Sequence, residues 1–364
     1  MMELAKYKKL ANDLRQEIKS GKYPQGSKIP SENELAREFN ISRHTVLKAL
    51  AILVDEGFIC PKQGKGTFVS EFASSLKKQI AVIVYHSDNP YYSKILRGIE
   101  DFFNTHGISC ILCNSEGNPD KENEYINRLR NSVDGFIISP VESGGNYTTG
   151  LASLSDSFAP LVLVTHIQDS RGDKLPYVIP DNSSGGFLAT KHLIECGYEE
   201  IKFIAPAPRF YMETIQERFR GFRFALASAG IPYSDNLVIE MEETDPINGY
   251  EEDGYKLAKR IMKDKKGSCG FFVSGDLAAI GFLKGLRKLK ANVPDEIGIC
   301  GFNDIDLAGQ YGIELTTIKQ NMYGMGSIAA EFLFERINDN SAPVKHMLVP
   351  VELKMRKTTL QVKP

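Results

Sequence analysis

From Ile80 onward the chain alternates short, almost uninterrupted apolar runs with amphipathic stretches. The runs are IAVIVY, CILC, GFIIS, LVLVT, IKFIA, GFFVS and IGICGF; the stretches between most of them include ILRGIEDFFNTHG, FLATKHLIECG, FRGFRFALASAG and LAAIGFLKGLRKLK. A short continuous apolar run fits a parallel strand covered on both faces, and an amphipathic stretch fits the helix that crosses back over it. The pattern predicts a doubly wound α/β body. Residues 80–364 are too many for one such sheet, so two similar lobes with a ligand cleft between them are expected.

Residues 1–70 carry a different pattern. A first helix is predicted from Lys6 to Ser20, ending at Gly21. A second begins at Ser31, where Ser31 and Glu34 have capping-box spacing and Pro30 stops any upstream helix. A third starts at Ser42, a favourable N-cap, and places Val46, Ala49, Leu50 and Leu53 on one face before Gly57 closes it. FICPKQ and TFVS, separated by GKG, read as a hairpin. Three helices and a hairpin make a winged helix-turn-helix at 1–70. The polar, basic segment EFASSLKKQ forms a linker at 71–79, and the body spans 80–364.

Charge sharpens this division. The chain carries a net charge of only −2, yet through Lys78 there are 14 Lys and Arg against 9 Asp and Glu, net +5, leaving 30 against 37, net −7, for the rest. A basic head on an acidic body suits a nucleic-acid-binding module joined to something that is not one. No stretch is apolar enough to span a bilayer and the N-terminus does not read as a signal peptide, so a cytoplasmic location is expected, with no membrane partner. The cysteines, at 60, 110, 113, 196, 269 and 300, fall mostly in apolar runs and read as small core residues. Cys110 and Cys113 form C-x-x-C without a second pair or nearby histidine spacing, which favours neither a metal nor redox chemistry.

In the third helix, a period of about 3.6 residues turns His44, Lys48, Ala51 and Asp55 outward when Val46 and Leu50 face the core. Arg43, His44 and Lys48 are then placed to enter the major groove. Arginine can grip guanine O6 and N7, while Ser42 and Thr45 can hold phosphate at the helix N-terminus. Gly64 and Gly66 allow the hairpin backbone to approach closely, and Gln63 and Lys65 supply minor-groove or phosphate contacts. The other use of such a head is as a protein–protein module.

The segment IPSENELAREFNISRHTVLKALAILVDEGFICPKQGKGTFV resembles the GntR-family winged helix-turn-helix, and the resemblance covers residues 5–70. It implies DNA contacts by Asn33, Arg43, His44, Thr45, Lys48, Gln63 and Gly64. Two departures, Asn33 where Arg is common and Leu47 in place of a frequent Arg, imply fewer phosphate or base contacts, so the operator sequence does not carry over from relatives. The body resembles the effector domain of the LacI/GalR family through VDGFIISP, VIPDNSSGGFLATKHLIECGYEEIKFI, RFRGFRFAL, FVSGDLAAIGFLKGLRKL, VPDEIGICGFNDIDLA, LTTIKQ and ELKMRKTTL.

That second resemblance implies a periplasmic-binding-protein-like domain whose lobes are joined by crossovers near 179, 320 and 345, with a monosaccharide in the cleft. Arg218, Asn303 and Gln320 match ligand-gripping positions. Tyr91, Tyr92, Glu142, His166, Asp181 and Asp276 follow strand ends and are the remaining candidates, although the tyrosines could pack under a helix, His166 could be a satisfied loop histidine and Asp276 could cap its helix. Asn303 for Asp, and Thr165 where Asp or Asn is frequent, imply a changed hydroxyl pattern. Arabinose is therefore one candidate among pentoses, hexoses and deoxyhexoses.

Together these implications describe a homodimeric repressor of carbohydrate-utilisation genes, bound to double-stranded operator DNA and released by its sugar, with no cofactor. A ligand-dependent activator, a co-repressor-type regulator and a sugar-binding protein without DNA function are the other readings. An enzyme is disfavoured because G-x-S-x-G, the phosphate-loop motif, H-E-x-x-H and a strand-to-helix G-x-G-x-x-G are absent from the sequence.

Overall fold

The computed structural model describes residues 2–19, 21–55, 57–62, 64–70, 78–141, 146–157, 159–167, 174–207, 212–242, 250–264, 267–339 and 341–361. The chain divides into two compact units, one up to Lys78 and one from Gln79. The first contains α1 (Met2–Lys19), α2 (Glu32–Glu38), α3 (Arg43–Asp55) and an antiparallel hairpin of β1 (Ile59–Lys62) and β2 (Gly66–Val69). Its core joins Leu10 and Leu14 of α1, Leu35 of α2, Val46, Ala49, Leu50 and Leu53 of α3, and Phe58, Ile59 and Val69 of the hairpin. Ser31 forms the predicted capping box: Glu34 N–H donates to its hydroxyl, and its own N–H donates 2.7 Å to the Glu34 carboxylate.

The second unit holds two sheets. One lobe is built from β3 (Gln79–Val84), α4 (Pro90–Thr105), β4 (Ser109–Asn114), α5 (Pro119–Leu129), β5 (Gly135–Ile138), α6 (Thr149–Asp156), β6 (Leu161–Val164) and β7 (Tyr177–Pro180). The chain then forms α7 (Asn182–Glu195), β8 (Glu200–Pro206), α8 (Glu213–Ser228), β9 (Val238–Met241), α9 (Tyr250–Asp264), β10 (Cys269–Val273), α10 (Asp276–Lys288), β11 (Ile297–Asn303) and β12 (Thr316–Gln320) in the other lobe. It returns for α11 (Met322–Asn338) and β13 (His346–Val349), and crosses again to end in β14 (Val351–Lys354).

The strand orders are β13-β7-β6-β5-β3-β4 and β14-β12-β11-β10-β8-β9, so both lobes follow the same winding. All neighbouring pairs are parallel except β12 with β14. The alternation within β3 shows why its run is uniformly apolar. Ile80, Val82 and Val84 pack under α4 and α11, while Ala81 and Ile83 pack into the core on the other face with Ile126 of α5 and Leu151 of α6.

Three details differ from the sequence reading. Gln79 already pairs with Ser109 in β3 and so belongs to the sheet, while residues 71–77 of the expected linker lie outside the described residues. The third crossing falls at Pro350, between β13 and β14, and not near 345. Strand β4 is an edge strand, so Cys110 and Leu112 are exposed where a doubly covered strand was expected. Cys60 is also exposed, whereas Cys113, Cys269 and Cys300 are buried. Among the described residues no helix is long and apolar enough to cross a membrane.

Helices α7 and α8 approach backbone to backbone. A Cβ on Gly186 would overlap the Arg218 carbonyl, and one on Gly221 would overlap that of Ser183. This close packing fixes where α8 carries Arg218. Gly221→Ala is expected to force the helices apart and destabilise the chain by about 1–3 kcal/mol, the cost of overpacking a tight contact. Denaturant unfolding of the full chain checks this, and an unchanged midpoint would contradict it.

Candidate DNA interface and ligand cleft

Helix α3 begins in the manner its sequence dictates. Thr45 N–H donates 3.2 Å to the Ser42 hydroxyl, and the two hydroxyls share a 2.8 Å hydrogen bond. Val46, Ala49, Leu50 and Leu53 are buried, while Arg43, His44 and Lys48 are exposed on the opposite face, and Asn33 is exposed on α2. Thr45 departs from expectation. It is 3% exposed and tied to Ser42, so it stabilises the helix start and its hydroxyl does not face solvent.

The Arg43 guanidinium donates 2.8 Å to Glu32 through Nε, and its Nη2 lies 2.8 Å from the same oxygen. The Arg43 side chain is 65% exposed, and such surface pairs contribute at most about 1 kcal/mol, so the guanidinium can exchange Glu32 for another acceptor at little cost. In the hairpin, Lys65 N–H donates 2.9 Å to the Lys62 carbonyl, and Gly64, at φ +70°, supplies the left-handed turn residue. Gly64 and Lys65 are exposed at the tip, and Gln63 lies outside the described residues.

In the body, the carboxyl ends of both sheets border one cavity with an empty volume of about 950 Å³, its open mouth included. This is where an open α/β sheet binds ligand, beyond the strand ends where the winding reverses. From the first lobe come Tyr85 and His86 after β3, Asn89, Tyr91 and Tyr92 at the start of α4, and Thr165 and His166 after β6. Pro206, Met212, Thr214, Ile215, Arg218, Met241 and Tyr250 come from the other lobe, with Ser274, Gly275, Asp276, Leu277, Ala278, Asn303 and Ile305.

The first lobe presents a row of shared hydrogen bonds: Tyr92 hydroxyl to Ser139 at 3.1 Å, Ser139 to Thr165 at 2.8 Å, and Thr165 to His166 Nδ1 at 3.0 Å. Burial pushes His166 down to about 4, so its ring is neutral near pH 7 and can both donate and accept. Thr165 holds a φ of +79°, an uncommon conformation for a β-branched residue, at the edge of the cavity.

In the second lobe Arg218 is 8% exposed. Its Nε donates 2.9 Å to Asn182 Oδ1, Nη1 donates to the Ser274 carbonyl, and the guanidinium lies 3.8 Å from the Phe302 ring centroid. Burial lowers its pKa to about 10, which leaves it cationic at neutral pH. Asn303, at φ +122°, accepts a 2.8 Å bond from Gln320 Nε2 through Oδ1, and Gln320 Oε1 in turn accepts from the Tyr91 hydroxyl at 3.1 Å. That last bond joins the two lobes beside the second crossover.

Six of the expected cleft residues, Tyr91, Tyr92, His166, Arg218, Asp276 and Asn303, therefore line one cavity. Asp276 is committed largely to the fold: one carboxylate oxygen accepts from Thr317 at 2.5 Å and the other from Ile305 N–H at 3.0 Å. Burial raises its pKa to about 6. Gln320 lies behind Asn303 and Tyr91 and positions them. Asp181 does not line the cavity; its carboxylate caps α7 by accepting from Ser184 N–H at 2.8 Å. Glu142 lies outside the described residues.

Sequence reading missed Tyr85, His86, Asn89, Met212, Met241 and Tyr250. Tyr85, His86 and Asn89 share the available signal: they stand within a few residues of the end of the IAVIV run, where a doubly wound sheet gathers ligand. Met241 ends a strand whose short, mixed sequence VIEM gave no run to read.

Comparison with known proteins finds a separate match within each unit. The description "Bacterial regulatory proteins, gntR family" matches residues 6–69, and "Periplasmic binding protein-like domain" matches residues 190–359. The chain is 30% identical over 370 residues to an arabinose metabolism transcriptional repressor of Geobacillus stearothermophilus, covering 99% of each chain. It is 31% identical over 296 residues to the HTH-type transcriptional repressor PurR of Photobacterium profundum, covering 79% of this chain and 84% of that one. A LacI family transcriptional regulator from Enterococcus faecium, solved with bound ribose, superposes with a TM-score of 0.67 at 28% identity, covering 79% of this chain and all of that one. These relatives are transcriptional regulators, which are not enzymes. The chain belongs to the family of transcriptional repressors that join a gntR-type helix-turn-helix head to a LacI-type, periplasmic-binding-protein-like body.

Proposed function

We propose that this repressor binds a pseudo-palindromic operator as a homodimer and is released when a monosaccharide binds in the cleft between the lobes of its body. The observation that carries the reading is the cavity itself. Arg218, Asn303, His166 and Asn89 offer hydrogen-bonding groups from both lobes, and Tyr85, Tyr91, Tyr92 and Tyr250 offer rings for the apolar faces of a sugar. A relative's name refers to arabinose, and a structural neighbour holds ribose. Self-association is expected because a single winged helix buries little DNA and most oligomers of such regulators are two-fold.

In the head, Arg43, His44 and Lys48 read the major groove, with Asn33 and Lys65 on flanking phosphates. Replacing Arg43 with Ala is expected to cost about 1–3 kcal/mol of operator affinity and to relax discrimination at one base pair. Footprinting checks this; a variant as tight and selective as wild type would place the arginine off the DNA.

The body's role is tested with Arg218→Ala, whose lost contacts lie in the cleft. Operator titrations with increasing sugar should show release of the wild type but not of the variant, with both binding operator equally in its absence. Equal release of the two proteins would remove Arg218 from the effector site. Tighter DNA binding on adding sugar would make the ligand a co-repressor. Sedimentation at operator-binding concentrations should find a dimer, and a monomer with undiminished specific affinity would refute the symmetric arrangement.

A further inference from the structure

The amides beside the second crossover have a defined polarity. A hydroxyl bonded to an amide oxygen must donate, so Tyr91 donates 3.1 Å to Gln320 Oε1, and Gln320 Nε2 in turn donates 2.8 Å to Asn303 Oδ1. Asn303 lines the cavity. Its oxygen already accepts from Gln320, whereas its Nδ2 hydrogens have no partner among the described residues, so what the side chain has to offer a ligand is a donor. An aspartate at this place would offer acceptors only.

Arg218 adds further donors at the same strand ends. Its guanidinium lies over the ring of Phe302, the residue before Asn303 on β11, and Nη1 donates to the carbonyl of Ser274, which follows the neighbouring strand β10. Nε is taken by Asn182, and Nη2 makes no hydrogen bond among the described residues. No described carboxylate pairs with this cation. Glu217 stands behind Asn182, accepting from its Nδ2 at 2.9 Å, and both oxygens of Asp276 are occupied by Thr317 and the Ile305 N–H. A buried cation and an amide with open N–H groups lack acceptor lone pairs. A sugar hydroxyl brings lone pairs together with a hydrogen that neither group accepts well, while a carboxylate brings lone pairs only and forms charge-assisted bonds to a guanidinium. One cation also balances the single charge of a carboxylate better than the charge of nearly −2 on a phosphate ester.

We propose that Arg218 and Asn303 form a carboxylate-binding subsite, and that the effector is a sugar acid, a uronate or an aldonate, in place of a neutral aldose. Asn303 is then the residue that sets this specificity, because its amide leaves the arginine's charge for the ligand to neutralise. The inference rests on the monosaccharide reading of the cleft and narrows it.

The test is calorimetric titration of the full-length protein, at fixed pH and salt, with a panel that pairs pentoses and hexoses with their uronates, aldonates and phosphate esters. In the wild type, at least one sugar acid should bind about tenfold or more tighter than its parent aldose. Asn303→Asp places a carboxylate where the ligand's would sit; it should weaken that acid by about tenfold or more, through like-charge repulsion, and leave the parent within about twofold. A cooperative melting transition reports that the variant is folded, and the wild-type panel stands without it. If the acids bind no tighter than their parents, or if Asn303→Asp weakens acid and parent alike, the carboxylate subsite is refuted while the sugar reading stands. A phosphate ester that binds more tightly than every acid would overturn the choice of carboxylate. If no sugar of any kind binds the wild type, the sugar reading fails and this inference fails with it.

Discussion

The cleft depends on a guanidinium held out of water. Desolvating a cation costs several kcal/mol unless hydrogen bonds and a favourable field replace its hydration. Arg218 finds these in Asn182 at the first residue of α7, in the Ser274 carbonyl beyond β10, and in the face of Phe302 on β11. Asn182 is itself oriented by donating 2.9 Å to Glu217. One side chain thus ties a helix start and two strand ends of the same lobe around the point where ligand oxygens would meet a positive charge. The close contact of α7 and α8 through Gly186 and Gly221 sets the position from which the arginine reaches them.

The other constraint is the junction of the lobes. Three chain crossings, at Asp181, Asn321 and Pro350, connect the two lobes. Tyr91 bonds Gln320 across this junction, and Lys94 pairs with Asp306 at 2.5 Å on the rim. The rim pair is exposed and weak. The Tyr91–Gln320–Asn303 chain is more consequential, because a ligand hydroxyl at Asn303 would act on the same bonds that join the lobes. A ligand shifts a conformational equilibrium only through such differential contacts.

Much of the fold was legible because its signals are local. Continuous apolar runs marked strands covered on both faces, and Ser31, Glu34 and Ser42 marked helix starts in the head. Arg218 and Asn303 were legible through resemblance, since their neighbours Gly221 and Gly301 stand at fixed places in recognisable segments. What escaped was the part that depends on three-dimensional gathering. Nothing local to Asp181 distinguishes a cleft carboxylate from one that caps α7, and Thr45 is buried by packing that periodicity alone does not resolve. Strand β4 reads as a core strand because its composition is apolar, while its exposure follows from its place at the sheet edge.

The central claim is that sugar in the cleft and operator on the head compete through one conformational equilibrium. By linkage, whatever factor the sugar takes from operator affinity, the operator must take from sugar affinity, and couplings of this kind are typically about 1–3 kcal/mol, or roughly 5–150-fold. The most direct measurement is the affinity of the tightest-binding sugar for the free protein and for the protein saturated with operator duplex. The account predicts weaker sugar binding on DNA, by the same factor that sugar imposes on operator binding. Equal sugar affinity in the two states would contradict it.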